Sequence, residues 1–310
     1  MTLNDLVDFY ESTYLHEPVY SNDRKISGLR GTRQYASLLK QIRAEFGTRR
    51  IEAITHAELL KYKIKRLNTP TQHNKQRGIA DVNHAMQMLR RLFSIAVREG
   101  WLNKSPFQKG DSLISLADAP QRTRIISFEE ETRLFAAIEA HSSRKHLKGI
   151  TLIGLDMAFR AGEIKTLKKS DIDFTARTIT IRAFNSKTAR SRTVAMTNRV
   201  YQWLLDWCKN LKEEERPFPI RTFQTAWWNV LKQAKIEDLH FHDTRATAIS
   251  RMIAAGLPHA EVMRVSGHLT LACVFRYIRP DESSIFRAAS VLDSYLSLHS
   301  TKNEVSKSIM

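Results

Sequence analysis

Five short segments in the second half of the chain carry side chains that could act together on an anionic substrate. They are Phe159-Arg160-Ala161-Gly162-Glu163, Ser186-Lys187-Thr188, His242-Asp243-Thr244-Arg245, Gly267-His268 and Arg276-Tyr277. An arginine fork binds phosphate or carboxylate oxygens bidentately. A tyrosine hydroxyl has a pKa of about 10, so roughly one in a thousand is ionised at neutral pH, and it needs help to become a nucleophile. Taken singly, each segment has an ordinary explanation. Arginines at helix ends cap carbonyls or pair with carboxylates, a lysine in a hairpin turn is solvated, and a lone tyrosine packs. Order and spacing are what make the set informative.

The charge balance points the same way. The 310 residues include 49 Lys and Arg against 32 Asp and Glu, a net charge of +17. Residues 1–125 hold 21 basic and 12 acidic side chains, a surplus of 9, and the remainder holds a surplus of 8. The excess covers both halves instead of forming a basic tail, so each half is expected to face a polyanion, with nucleic acid the first candidate. Two cysteines, Cys208 and Cys273, give neither a disulfide framework nor zinc-ligand spacing. The N-terminus lacks the basic and apolar regions of a signal peptide. The most apolar run, Ile150 to Phe159, is too short to span a bilayer and contains Asp156. A cytoplasmic protein with no membrane partner is expected. No carboxylate cluster suited to divalent cations and no phosphate-binding P-loop is evident, so no cofactor is expected.

The elements that must position these groups are mostly helical. In residues 1–107, Tyr35, Leu38, Leu39, Ile42 and Phe46, and then Val82, Met86, Leu89, Phe93, Ala96 and Val97, recur at helical spacing. That region reads as almost entirely helix, with a polar loop over 68–78. Residues 108–125, with Gly110 and Pro120, read as an extended linker. Ser127-Phe128-Glu129-Glu130 is a capping box opening a helix that carries Leu134, Phe135 and Ile138. An apolar helix from about Leu147 to Arg160 follows. Thr178–Arg182 and Arg192–Met196 alternate as a β-hairpin whose turn holds Lys187. From Asn198 onward the pattern is helical again. Gly256 stops one helix, Pro258 starts the next at its first turn, and Gly267 ends it.

Across nearly its whole length the chain resembles the tyrosine site-specific recombinases, the lambda-type integrases and Xer-type resolvases. That family carries in order an Arg, a hairpin Lys, a His-x-x-Arg, a Gly-His and a Tyr, found here as Arg160, Lys187, His242-x-x-Arg245, Gly267-His268 and Tyr277. The intervals of 23 residues from Arg245 to His268 and 9 from His268 to Tyr277 are usual for it. The runs GEIKTLKKSDID, SKTARSRTVAM and GHLTLACVFRYI match as well. The resemblance implies a mainly α fold with a small β-sheet: an N-terminal helical core-binding (SAM-like) domain and a mixed α/β catalytic domain. The expected divisions are 1–107, a linker over 108–125, the catalytic domain over 126–280, and a C-terminal helix and tail over 281–310.

What the resemblance implies for chemistry is an in-line attack of Tyr277 on a DNA phosphodiester, leaving a 3′-phosphotyrosine. Arg160 and Arg245 would stabilise the charge on the non-bridging oxygens, with His268 adding a hydrogen bond. His242 would assist Tyr277, and three residues' spacing puts it on the same helix face as Arg245. Lys187 would protonate the leaving 5′-hydroxyl as general acid. Glu163 resembles the family's supporting carboxylate, orienting basic side chains without touching the substrate. The phosphotyrosine conserves the energy of the broken bond, so neither ATP nor metal is implied. The implied partners are double-stranded DNA at specific sites, further copies forming a tetramer in the synapse, and accessory DNA-bending or directionality proteins; localisation would be the nucleoid. Integrating or excising a mobile element, or resolving replicons, would be the task.

Some positions depart from the family pattern. Its common Thr-Gly-Leu before the first Arg is Met157-Ala158-Phe159, and the second Arg is followed by Ala246 where His is frequent. Neither change removes a catalytic group. Tyr295, on an amphipathic stretch with Ile285, Phe286, Leu292 and Leu296, reads as packing. The helix there could pack on its own domain or on a neighbouring protomer. No arm-binding domain is expected ahead of residue 1, as in a simpler recombinase or a shortened one. Three rivals stand beside this reading. Residues 245–267 scan as the helix-turn-helix of a non-catalytic regulator. A type IB topoisomerase would share the Arg, Lys, Arg, His and Tyr chemistry. A metallohydrolase built on His240, His242 and Cys273 has poor ligand spacing. A chain this basic should lose DNA affinity steeply with salt. If it neutralises 6–10 phosphates, filter-binding between 50 and 200 mM salt should register a loss of about 10³–10⁵-fold, and a flat profile would contradict phosphate-dominated binding.

Overall fold

A computed structural model of the chain describes residues 1–21, 24–29, 31–71, 77–108, 110, 112–114, 122, 124–186, 190–278 and 289–296. The chain divides into two compact units, Met1–Arg122 and Thr123–Met310.

The first unit is built from α1 (Leu3–Tyr14), a hairpin of β1 (Val19–Ser21) and β2 (Arg24–Ser27), α2 (Thr32–Phe46), α3 (His56–Leu67) and α4 (Ile79–Arg98). Thr2 and Thr55 open α1 and α3 with capping boxes, each accepting from an N–H three residues on while Asp5 or Glu58 reaches back. Leu6 and Tyr10 from α1, Leu39, Ile42 and Phe46 from α2, Leu59 from α3, and Met86, Leu89 and Phe93 from α4 form one core. The helical stripes therefore bury as their spacing predicts. The hairpin is a correction to the all-helical reading. Its strands are three and four residues long, too short to show alternation, and Gly28 follows β2 at φ +78°. A Cβ there would lie 2.2 Å from the Glu17 carbonyl oxygen, so the close approach of the two chain segments ahead of β1 and after β2 admits only glycine. Leu113, within the expected linker, is buried against this core.

The second unit runs α5 (Phe128–Glu139), α6 (Lys145–Met157), α7 (Ala161–Thr166), β3 (Ile172–Asp173), β4 (Thr178–Ile181), β5 (Arg192–Ala195), α8 (Asn198–Trp207), α9 (Gln224–Ala234), α10 (His242–Ala254), α11 (His259–Ser266) and α12 (Leu271–Phe275). The strands form an antiparallel sheet in the order β3-β4-β5, with Ile179 opposite both Ile172 and Val194. This mainly helical architecture with small sheets is the class expected from the sequence. The two-residue β3 is an addition, because nothing in Ile172-Asp173 alternates. Residues 289–296 are helical, and Val291, Leu292, Tyr295 and Leu296 are exposed in the single chain. Among the described residues, no helix is long and apolar enough to cross a membrane.

Helix α6 is the hub of this unit, packing against α5, α7, α8 and α10. Leu147, Ile150, Ile153 and Met157 are fully buried, and two glycines let neighbours approach the helix backbone. A Cβ on Gly149 would meet the Trp203 ring at 2.1 Å, and one on Gly154 would meet Thr244 Oγ1 at 2.5 Å. Arg199 on α8 reaches Asp156 on α6 and Glu131 on α5, and Arg251 on α10 reaches the other oxygen of Glu131. Four helices are thereby tied by one ionic network. The expected helix from Leu147 to Arg160 ends earlier, at Met157. Ala158 turns left-handed at φ 55°, and Arg160 begins α7 instead of ending α6. Pro258 stands just ahead of α11, one position before its predicted place.

The Gly154–Thr244 contact sets how closely α10 lies on α6. Gly154→Ala should cost about 1–3 kcal/mol of stability through overpacking. Chemical denaturation should show the penalty shrinking in the Thr244→Ala background, which removes the obstructing oxygen. Strictly additive penalties would mean the contact is not tight.

Candidate active site

The site is assembled around Arg245 on α10, whose side chain is almost wholly buried, at 1% exposure. An unpaired buried guanidinium would be prohibitive, so its hydrogen bonds account for its presence. Nη1 donates to the Ala158 carbonyl, and Nη2 donates to the Ser266 carbonyl at 2.7 Å and to His268 Nε2 at 3.1 Å. Burial, together with the nearby Arg160 and Arg192 cations, works against its charge, while Glu163 supports it. It stays protonated because a guanidinium starts so far above neutrality.

Arg160 is placed by the start of α7. Glu163, three residues on, accepts from the Arg160 backbone N–H at 3.0 Å and from its Nη1 at 2.9 Å. Glu163 is itself 2% exposed. Its second guanidinium partner is Arg192 at the start of β5, bound end-on at 2.7 and 3.1 Å. Despite burial, this pairing with Arg192 and Arg160 holds the Glu163 carboxyl below the usual carboxylate range.

His268 follows the left-handed Gly267 that ends α11. Ser266 Oγ spends its proton on the Val262 carbonyl at 2.6 Å, leaving its oxygen to accept from His268 Nδ1 at 3.0 Å. That assigns the proton to Nδ1 and leaves Nε2 as the acceptor facing Arg245. Burial and the surrounding cations, Arg245 first, lower the His268 pKa to about 4. Tyr277 lies just after α12, half-buried, with its ring stacked on His268 at 5.7 Å between centroids and 28° between planes. Its backbone carbonyl accepts from Ser250 Oγ on α10 at 3.0 Å. Its ring rests on a small core of Ala158, Ala248, Ile249, Val262 and Val274.

Five of the sequence-derived residues are thus brought into one connected cluster: Arg160, Glu163, Arg245, His268 and Tyr277. His242 opens α10 on the exposed side, near enough to act on the His268 charge. Lys187 lies outside the described residues, between Ser186 and Arg190. Arg192 is a residue that sequence reasoning misses. Within SRTVAM it is simply the first residue of a strand, and only its place two before Val194, on the same strand face, hints that it points inward. The alternative metal set of His240, His242 and Cys273 is not gathered. Among the described residues, no three His, Cys, Asp or Glu side chains stand where they could hold one ion.

Three guanidiniums and a neutral imidazole around one carboxylate make a cationic recess beside a tyrosine, an arrangement suited to holding a tetrahedral oxyanion. The Phage integrase family profile matches residues 124–284, more than half of the chain, and the chain belongs to that family. It is 31% identical over 157 residues to the shufflon-specific DNA recombinase of Escherichia coli, a match covering 50% of this chain and 40% of that protein. The aligned region is therefore less than half the length of that relative. In fold, it is similar to the integrase of transposon Tn1549 (residues 82–397) in complex with circular intermediate DNA, with TM-score 0.71 and 15% identity, covering 94% of this chain and 99% of that one. It is also similar to a lambda integrase tetramer bound to a Holliday junction, with TM-score 0.67 and 17% identity, covering 91% and 80%.

The His268 environment has a pH consequence. The unfolded imidazole binds a proton near pH 6.5 and the folded one only near 4, so between these values the unfolded state holds more protons. Its share of stability is intact above pH 6.5 and is lost as pH falls from there through about 4. An NMR titration of DNA-free protein should find His268 neutral down to about pH 4, and His268→Asn should flatten this part of the stability profile. A His268 resonance titrating near 6.5 would disprove the assignment.

Proposed function

We propose that this chain is a site-specific DNA recombinase that cleaves and rejoins strands through a 3′-phosphotyrosine at Tyr277. The observation that carries the reading is the joining of Arg245, His268 and Tyr277 through one hydrogen bond and one ring stack, with Arg160 held at the same recess by Glu163. A scissile phosphate seated there takes the place of the Arg245–His268 contact. Arg160 and Arg245 then face its non-bridging oxygens, where charge grows in the transition state. These fixed cations do the work that divalent metals do elsewhere, so the reaction needs no metal and no ATP.

His268 gains from the phosphate. The cations that keep its ring neutral are offset by the incoming negative charge, and a protonated Nε2 then donates to a phosphate oxygen. The Tyr277 hydroxyl attacks phosphorus as the 5′-oxygen leaves, with His242 assisting its deprotonation and Lys187 supplying the proton to the leaving oxygen. A 5′-hydroxyl from a second duplex reverses the step and completes the exchange. The helical first unit contributes further DNA contacts. Four copies act together in the synapse, as in the lambda integrase tetramer on its junction, and residues 289–296 offer the apolar side chains for contact between copies. The substrate is the cell's DNA, at the ends of an integrating or excising mobile element or at a replicon junction, in the cytoplasm with accessory DNA-bending or directionality proteins.

A library of nicked suicide duplexes with a randomised core tests this. Wild type should trap a covalent adduct resistant to denaturant, in the presence of EDTA, with a shared core sequence. Tyr277→Phe should trap none. Equal trapping by both proteins would remove Tyr277 as nucleophile, and relaxation of plasmids lacking that core would favour topoisomerase action.

A further inference from the structure

Arg192 is the one cation of the cluster that no step of the proposed chemistry uses. Its guanidinium is nevertheless as fully engaged as that of Arg245. Nη1 and Nη2 bind the two oxygens of Glu163 at 3.1 and 2.7 Å, Nε donates to the Val265 carbonyl at 3.0 Å, and the plane lies over the Phe159 ring at 5.3 Å. The side chain is 9% exposed, and all three of its guanidinium nitrogens are taken up by these bonds. A Cβ on Gly267 would sit 3.1–3.2 Å from the same guanidinium, so the turn that delivers His268 is moulded against it.

These contacts join three places in the fold that are far apart in sequence. Glu163 fixes Arg160 through its side chain and its backbone N–H. Val265 and Gly267 flank Ser266, whose carbonyl and hydroxyl hold Arg245 and His268. Arg192 also stands five residues after Lys187, at the foot of the same hairpin. We infer that Arg192 is a positioning residue: its fork sets Arg160, through Glu163, and the Arg245–His268 pair, through the end of α11, at one separation matched to a phosphate. This rests on the recombinase reading above. A lysine could supply the charge there, but a single ammonium cannot grip both Glu163 oxygens and the Val265 carbonyl in one plane.

The geometry dictates which step Arg192 serves. Arg160, Arg245 and His268 act on the non-bridging oxygens, whereas the hairpin lysine acts on the leaving oxygen. A defect in Arg192 should therefore follow the charge on the non-bridging oxygens and ignore the leaving group. The experiment uses the full chain and the core sequence recovered by covalent trapping, synthesised in three forms. One is an ordinary phosphodiester, one has a neutral methylphosphonate at the scissile position, and one has a 5′-bridging sulfur that leaves without needing a proton.

Arg192→Gln and Arg192→Lys should both bind the ordinary duplex as wild type does and cleave it about 10²-fold more slowly, the scale expected of a misplaced catalytic group. The deficit relative to wild type should shrink on the methylphosphonate and persist with the bridging sulfur. A deficit of the same size on all three substrates would reduce Arg192 to a structural ion pair. Rescue by the bridging sulfur would assign it to the hairpin lysine, and an Arg192→Lys protein as fast as wild type would show that the fork is not needed. Each of these results overturns the proposal. If Arg192→Gln melts too low to assay, Arg192→Lys keeps all three comparisons open. Tyr277-dependent trapping by the wild type is measured separately, so failure here is distinct from failure of the recombinase reading.

Discussion

The burial of one guanidinium, Arg245, organises the second unit. Its two backbone acceptors are the Ala158 carbonyl at the C-terminal end of α6 and the Ser266 carbonyl at the C-terminal end of α11. Helix C-termini present unsatisfied carbonyls and the negative end of the helix dipole. A single cation thus caps two helices at once, and each helix end lowers the cost of burying it. The left-handed turn at Ala158 belongs to the same arrangement, since it ends α6 and directs that carbonyl toward α10. Where the family commonly has glycine, an alanine takes this conformation at a cost of about 1–2 kcal/mol, and its methyl is buried in the small core against which Tyr277 packs.

Around this point the charges are unequal. Glu163 is shared by Arg160 and Arg192 and supports Arg245 from further off. One carboxylate among three guanidiniums keeps their side chains ordered and leaves a positive field unspent. The imidazole of His268 answers that field by staying neutral. The recess is therefore suited to an anion, whose charge would complete a balance that the protein leaves open.

Much of this was legible in the sequence, for identifiable reasons. The Ser127 capping box and the alternation of β4 and β5 are local patterns, and local patterns survive in one dimension. Arg160, Arg245, His268 and Tyr277 stand out through their order and intervals. What could not be read was contact across the chain. The Arg192–Glu163 pair spans 29 residues, and the fit of Gly154 to Thr244 spans 90. Short strands at Val19–Ser21 and Ile172–Asp173 carry too few residues for a period of two to emerge. The break at Ala158 was hidden because alanine is a strong helix former, and only tertiary demand turns it left-handed.

Because Arg245 fills space between α6, α11 and the Ser266 turn, the site cannot exist as an empty frame awaiting its residues. The fork at the centre of the candidate site is also a core side chain, so the packing of this unit includes it. Formation of the site and closure of the interior thus depend on the same side chain. A variant that loses this side chain therefore loses packing and site together. Any replacement at Arg245 meets the same constraint, because relaxing the chemistry would first have to find another way to close the two helix ends.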